Sequence, residues 1–203
     1  MLYEGILKWK YKTENTTNFY GSSAFISNDD LYFGSMDRHL YVLDVLTGNL
    51  IWKYKTSKGV STPIVKDKKV YFGNRKGFFF SLDTSKGDLN WEKEIGKCIS
   101  TQPVIYNDLI FFGDYNGYLY AYNLDGSLKW KFKAASFIVS APCVYKNIIY
   151  FGSDDFRIYA LSIKDGSMIW RYTTKHHIWS SPYVFKDIVY ISSYDANIYA
   201  FKV

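Results

Sequence analysis

The chain has 203 residues, 48% of them hydrophobic and 20% aromatic, enough to pack a core and rich in the flat rings that suit β-sheets. No window approaches about eighteen uninterrupted apolar residues, which excludes a hydrophobic membrane-spanning helix. Lys and Arg outnumber Asp and Glu by 25 to 19, a net charge of +6 that raises an acidic partner as a possibility to be weighed against where those lysines fall.

In chain order, residues 6–12 (ILKWKYK) form a lone alternating strand, and Thr13 to Tyr20 a polar loop. The first full repeat then gives Ser22 to Ile26, a turn at Asn28-Asp29-Asp30, Leu31 to Gly34, a turn through Asp37-Arg38, Leu40 to Asp44, a turn at Thr47-Gly48, and Leu50 to Lys55. This reads as four strands joined by three hairpins. The same series returns at 61–94, 101–133 and 140–173, and a fifth copy at 180–203 stops before its last strand. The step Tyr32-Phe33-Gly34 recurs as Tyr71-Phe72-Gly73, Phe111-Phe112-Gly113 and Tyr150-Phe151-Gly152, and in altered form as Tyr190-Ile191-Ser192. Trp9, Trp52, Trp91, Trp130 and Trp170 follow one another at intervals of 43, 39, 39 and 40 residues. A period near forty built from short strands marks a β-propeller with one four-stranded blade per repeat.

The expected fold is therefore all-β: one domain, 1–203, folded as a five-bladed β-propeller of four-stranded antiparallel blades. Blade 1 is 22–55, blade 2 is 61–94, blade 3 is 101–133, blade 4 is 140–173, and blade 5 is 180–203 together with 6–12. The fifth copy lacks its outer strand and 6–12 is a strand of that type, so the two are expected to pair and close the ring. Pro63, Pro103, Pro142 and Pro182 share one repeat position, which suits the start of an innermost strand. Two residues earlier stands a hydroxyl in each copy, Ser22, Ser61, Thr101, Ser140 and Ser180, either bonding local backbone or ringing the channel mouth. The lysines alternate with aromatics on the tryptophan strands, as in Lys8, Lys10 and Lys12 or Lys129, Lys131 and Lys133. They read as protection of outer edges rather than as a nucleic-acid surface.

The segment Tyr41-Val42-Leu43-Asp44 through Thr47-Gly48 to Trp52 is echoed by Asp83, Gly87 and Trp91, by Gly126 and Trp130, and by Tyr159-Ala160-Leu161, Gly166 and Trp170. In these residues the chain resembles the quinoprotein-like propeller repeats, the type found in PQQ-dependent dehydrogenases and in BamB-like non-catalytic scaffolds. The resemblance implies that Trp9, Trp52, Trp91, Trp130 and Trp170 dock between adjacent blades. It also implies, for the dehydrogenases, a quinone over calcium held by Glu, Asn and Asp, often with adjacent cysteines. Those residues are not recognisable here, Cys98 and Cys143 lying in different repeats without a CxxC or metal-ligand pattern. The expectation is no cofactor, no metal and no catalysis.

The loops leading into the inner strands and the hairpins between second and third strands share one face of the disc, and they carry the irregular residues. The candidate recognition face is Tyr20, Arg38, His39, Phe137, Arg157, His176, His177 and Trp179. Trp179, the tryptophan outside the repeat position, either stacks on a ligand or side chain or plugs the axis. His176 and His177, if extended, point opposite ways and do not chelate one metal alone. Asp37, Asp155 and Asp195 stand at repeated turns, where Asp bonds its own backbone; calcium coordination is the alternative. No nucleophile, base and orienting group come together in the pattern, and the inner strands carry no acids to cleave a sugar. The expected partner is another polypeptide. The alternatives are a small molecule, quinone or sugar, at the channel mouth, and a dehydrogenase-like enzyme, which the missing cofactor residues disfavour. Met1 is followed at once by the first tryptophan strand, which leaves no room for a signal peptide; the expected compartment is cytoplasmic, or periplasmic or otherwise extracytoplasmic if a leader has been removed.

Overall fold

The structure, a computed structural model, describes residues 5–14 and 22–203. Among these residues every regular element is a strand, and the strands form five antiparallel sheets. Blade 1 has β1 (Phe25–Ser27), β2 (Asp30–Gly34), β3 (His39–Asp44) and β4 (Leu50–Lys55). Blade 2 has β5 (Ile64–Lys66), β6 (Lys69–Gly73), β7 (Phe78–Asp83) and β8 (Leu89–Glu94). Blade 3 has β9 (Val104–Tyr106), β10 (Leu109–Gly113), β11 (Tyr118–Asn123) and β12 (Leu128–Lys133). Blade 4 has β13 (Cys143–Tyr145), β14 (Ile148–Gly152), β15 (Arg157–Ser162) and β16 (Met168–Thr173). The fifth sheet has β17 (Tyr183–Phe185), β18 (Ile188–Ser192) and β19 (Ile198–Lys202). Sheet order follows chain order, and the first strands β1, β5, β9, β13 and β17 lie each beside the next, so they are the inner strands of a five-bladed β-propeller.

Local chemistry accounts for these strands. The two-residue turns Asn28-Asp29, Asp67-Lys68, Lys146-Asn147 and Lys186-Asp187 hold positive φ at both positions, the geometry that matches the twist of a tight hairpin. Each of the four prolines stands directly before an inner strand, where no ladder N–H is needed. The repeated hydroxyl clips that strand to its neighbour. Ser61, Thr101 and Ser140 each accept from the N–H and donate to the C=O of one residue, Gly73, Gly113 and Gly152 in turn, at 3.0–3.2 Å. Ser180 does the same with Ser192, and Ser22 accepts from the N–H of Gly34. These hydroxyls are spent on backbone and do not form a ligand ring.

The core consists of layers between blades. One packs Tyr32, Val42 and Trp52 against Phe72 and Phe80; another packs Phe111 and Trp130 against Phe151 and Tyr159. Two kinds of contact set the joints. The indole of one outer strand lies on the turn glycine of the next blade: Trp9 on Gly48, Trp52 on Gly87, Trp91 on Gly126, Trp130 on Gly166. These glycines have positive φ, and a Cβ on any of them comes within 2.5–2.8 Å of the ring. Each indole N–H also donates to the neighbour's backbone: Trp9 to Val45 O, Trp52 to Thr84 O, Trp91 to Leu124 O and Trp130 to Ile163 O. The second contact explains the aromatic-aromatic-glycine step. Ile99, Ile138 and Ile178, from the loop leading into the following blade, fill the space where Gly73, Gly113 and Gly152 have no side chain.

Pairing of 6–12 with blade 5 is not found among the described residues: 5–13 carry no strand, and the fifth sheet has three. Residues 6–12 keep only the docking half of an outer strand. Tyr11 packs edge-on against Phe33 and Tyr41, as Tyr54 packs on Phe72 and Phe80. The other half is missing because, among the described residues, nothing packs against the far side of blade 5. Ile198 is 77% exposed, whereas its repeat equivalents Leu40, Phe79, Leu119 and Ile158 are completely buried by the next blade.

Candidate functional site

The loops leading into the inner strands bond both to the hairpin of their own blade and to that of the preceding one. Ile178 N–H donates to Ser153 O in blade 4, and Tyr194 N–H donates to His177 O within blade 5. The same pair recurs as Ile138 to Asp114 O and Asp154 to Phe137 O, and as Ile99 to Asn74 O and Tyr115 to Cys98 O. Hairpin tip and lead-in loop are thereby stitched into one surface, and side chains the joint does not use are left projecting from it.

Between blades 4 and 5 those side chains form a continuous aromatic cluster around Asp154. The carboxylate of Asp154 accepts from Trp179 Nε1 at 2.8 Å, and the same oxygen lies 2.8 Å from His177 Nδ1. His177 meets Phe156, His176 and Trp179, with ring centroids 4.8, 4.5 and 6.0 Å away. Tyr194 closes the group, edge-on to Trp179 at 5.0 Å and beside His176. One blade away Phe137 stacks on Tyr115 at 5.4 Å. Trp179 is 50% exposed, and Phe137, Phe156 and Tyr194 are exposed too, so Trp179 is a surface ring rather than a plug.

The other expected residues fall elsewhere. Tyr20 lies outside the described residues. His39 is not on the loop surface: it is the first residue of β3, 6% exposed, with its ring against Tyr41 and Nδ1 3.3 Å from Asp37. Arg38 occupies the positive-φ position of the blade 1 hairpin. Arg157, the repeat equivalent of His39, is turned to Asp155 at 3.4 Å. His176 and His177 do not point apart, because the chain bends through 175–176 and brings the rings together, the N–H of His177 donating to His176 Nδ1. Asp154, Phe156, Tyr115 and Tyr194 stand on the hairpins of this face but are not among the eight candidate residues. For Tyr115, Asp154 and Tyr194 the signal is the hairpin position that reads Met36, Arg75, Tyr115, Asp154 and Tyr194 through the five copies, variable where its neighbours repeat; Phe156 stands two residues further on, where the other copies have Arg38, Gly77, Gly117 and Ala196.

The turn aspartates are structural. Asp37, Asp155 and Asp195 each accept from a tyrosine hydroxyl four residues on, at 2.7, 2.6 and 2.7 Å. Asp155 and Asp195 also accept the N–H of Ala135 and Lys175 from the lead-in loops. Partial burial works to raise the Asp195 carboxyl, but Lys175, Tyr199 and Asn197 together outweigh it and hold the group at about 2. No group of three or more His, Cys, Asp and Glu is placed to hold a metal ion among the described residues.

The family described as outer membrane protein assembly factor BamB matches the chain twice, at residues 4–102 and 99–201. Among solved structures the chain is similar to BamB from Moraxella catarrhalis, with a TM-score of 0.78 and 19% identity, covering 89% of this chain and 57% of that one. It is also similar to a quinohemoprotein alcohol dehydrogenase from Pseudomonas putida HK5, with a TM-score of 0.74 and 16% identity, covering 90% of this chain and 40% of that one. A third likeness is the computationally designed Ika4 protein, at 0.70 and 14%, covering 77% of this chain and 99% of that one. At these identities the likenesses show the fold alone. This chain spans little more than half the length of the BamB structure and less of the dehydrogenase. No curated protein matches it, and no helix among the described residues is long and apolar enough to cross a membrane.

Proposed function

This chain belongs to the family of outer membrane protein assembly factor BamB, and from that premise we propose that it is a non-catalytic scaffold binding another polypeptide through the aromatic loop face of blades 3 to 5. The observation that carries the proposal is the exposed ring cluster around Asp154, with Phe156, His177, Trp179 and Tyr194 held by each other and by a shared carboxylate. Rigid aromatics with a polar handle are the anchors protein interfaces use, because they bury much area and lose little side-chain freedom. The non-catalytic part is supported by the commitment of the hairpin aspartates to tyrosine hydroxyls and of the strand-start hydroxyls to backbone. The family's name ties its namesake to the outer membrane, which favours an extracytoplasmic compartment over the cytoplasmic expectation.

The test is a photo-crosslinking residue placed at Tyr194 or Phe156, with a control at Leu128 on an outer strand, in the cells that make the protein. A polypeptide captured from the face positions alone, and lost when Trp179 is replaced by alanine, is the expected result. Equal capture at Leu128, or a loop face that captures no polypeptide, overturns the proposal.

A further inference from the structure

We propose that the open face and edge of blade 5 bind a second copy of this chain, which supplies its own residues 6–12 as the fourth strand of that blade. Every joint in the molecule has two halves, and one unmatched half stands at each end of the row of blades. On blade 5, Tyr183, Tyr190, Ile198 and Ala200 form one exposed face, with Tyr190 paired to both Tyr183 and Ala200. Their equivalents in the other blades, such as Tyr71, Phe79, Phe111 and Ile158, are completely buried under the next blade. Among the described residues β19 also has no partner on its outer side, and it carries no proline to block one. On blade 1, residues 6–12 already sit as an outer strand sits on its following blade, with Trp9 on Val45 O and Gly48 and Tyr11 on Phe33 and Tyr41. They lack only a sheet to belong to.

The existing blades fix the register. Trp52 stands opposite Val42, Trp130 opposite Ala121, and Trp170 opposite Ala160. The incoming strand therefore places Trp9 opposite Ala200, Tyr11 opposite Ile198 and Lys12 opposite Asn197. Ser192 stands where the other blades have glycine, so the incoming loop must leave room for it. Blade 1's own lead-in sequence has Gly21 directly before Ser22, where blade 2 has Val60 directly before Ser61.

The two halves belong to different molecules because uniting them within one chain demands that all four joints tighten. Every joint carries at least one of two close contacts, an isoleucine seated on a strand glycine between blades 2 and 3, 3 and 4, and 4 and 5, or an indole seated on a turn glycine between blades 1 and 2, 2 and 3, and 3 and 4, where close-packed atoms resist a change of angle. A second copy joins the halves with every joint left as it is. The contact is head-to-tail, so it closes into a ring of copies or continues as an open row.

The test mixes two single-cysteine variants, Lys12→Cys and Asn197→Cys, both made with Cys98→Ser and Cys143→Ser; positions 12 and 197 are exposed, and the side-chain bonds of Asn197 stay within its own hairpin, to Asp195, so neither change reaches the core. A disulfide between the two variants on mixing is expected. Sedimentation should show a mass that rises with concentration, and Ile198→Asp, at an exposed position, should weaken association at least about tenfold with the β-sheet spectrum unchanged. Two results overturn the proposal: no cross-link in the mixture with a monomer at all concentrations, or a double variant that cross-links only within one chain, which shows a closed five-bladed ring instead.

Discussion

Tyr150 buries its hydroxyl completely without a hydrogen-bond partner, and burial pushes that hydroxyl up to about 12. The third repeat has Phe111 at the same position, equally buried, so the site accepts the ring without the oxygen. Tyr150→Phe is expected to raise stability by about 1 kcal/mol, since a buried hydroxyl left unpaired opposes folding. Thermal unfolding checks this; a fall in midpoint means that the hydroxyl has found a partner in solution. Asp195 answers to pH instead. Its folded pKa of about 2 lies below the ordinary 3.8, so its stabilising contribution is complete above about 3.8 and is lost as pH falls through about 2. The stability gap between the wild type and Asp195→Asn should accordingly narrow over that window. A gap that stays constant down to about 2 shows that the carboxylate's charge plays no part.

The outer strands carry the joints, and they do so unequally. Trp130 is buried, lies on Gly166 and donates to Ile163 O, while Trp9 makes the corresponding contacts from a segment with no sheet behind it. Trp130→Phe should cost about 1–3 kcal/mol through a lost hydrogen bond and a partly emptied site. Trp9→Phe should cost clearly less at low protein concentration, where no second copy shares the load; urea unfolding of both variants compares them, and equal losses would mean that 6–12 already belongs to a complete blade. The difference also marks what the sequence could tell. Blade number, hairpin turns and docking tryptophans were legible because each is demanded by a contact that recurs. The fate of 6–12 was not, since an alternating pattern says which side chains face inward but not whether another edge lies within reach. His39 was misplaced for a similar reason: beside a hairpin its pattern does not separate a loop tip from the first residue of β3, where the neighbouring Tyr41 and Asp37 enclose it. The bend that brings His176 and His177 together belongs to a single loop and had no second copy to reveal it.

At the scale of the whole molecule, stability is a row of inter-blade layers, and a blade's protection depends on how many of its faces are covered. Blade 3 is covered on both: all of β10 is buried, with Ile110 and Phe112 packed toward blade 2 and Leu109 and Phe111 toward blade 4. Blade 5 is covered on one. Val189 and Ile191 of β18 are buried toward blade 4, while Tyr190 and the alternate residues of β19 face outward. Opening blade 5 therefore exposes one layer, whereas opening blade 3 exposes two. Amide exchange in 188–202 should run at least about tenfold faster than in 109–123 in dilute protein, because each tenfold step in exchange needs only a small difference in opening free energy. Raising the protein concentration should slow exchange in 198–202 and leave 109–123 unchanged, since a docked second copy covers the one face and leaves the other layers as they were. Equal protection of the two regions in dilute solution would place a neighbour against blade 5 within the single chain, and the row of blades would then be a ring.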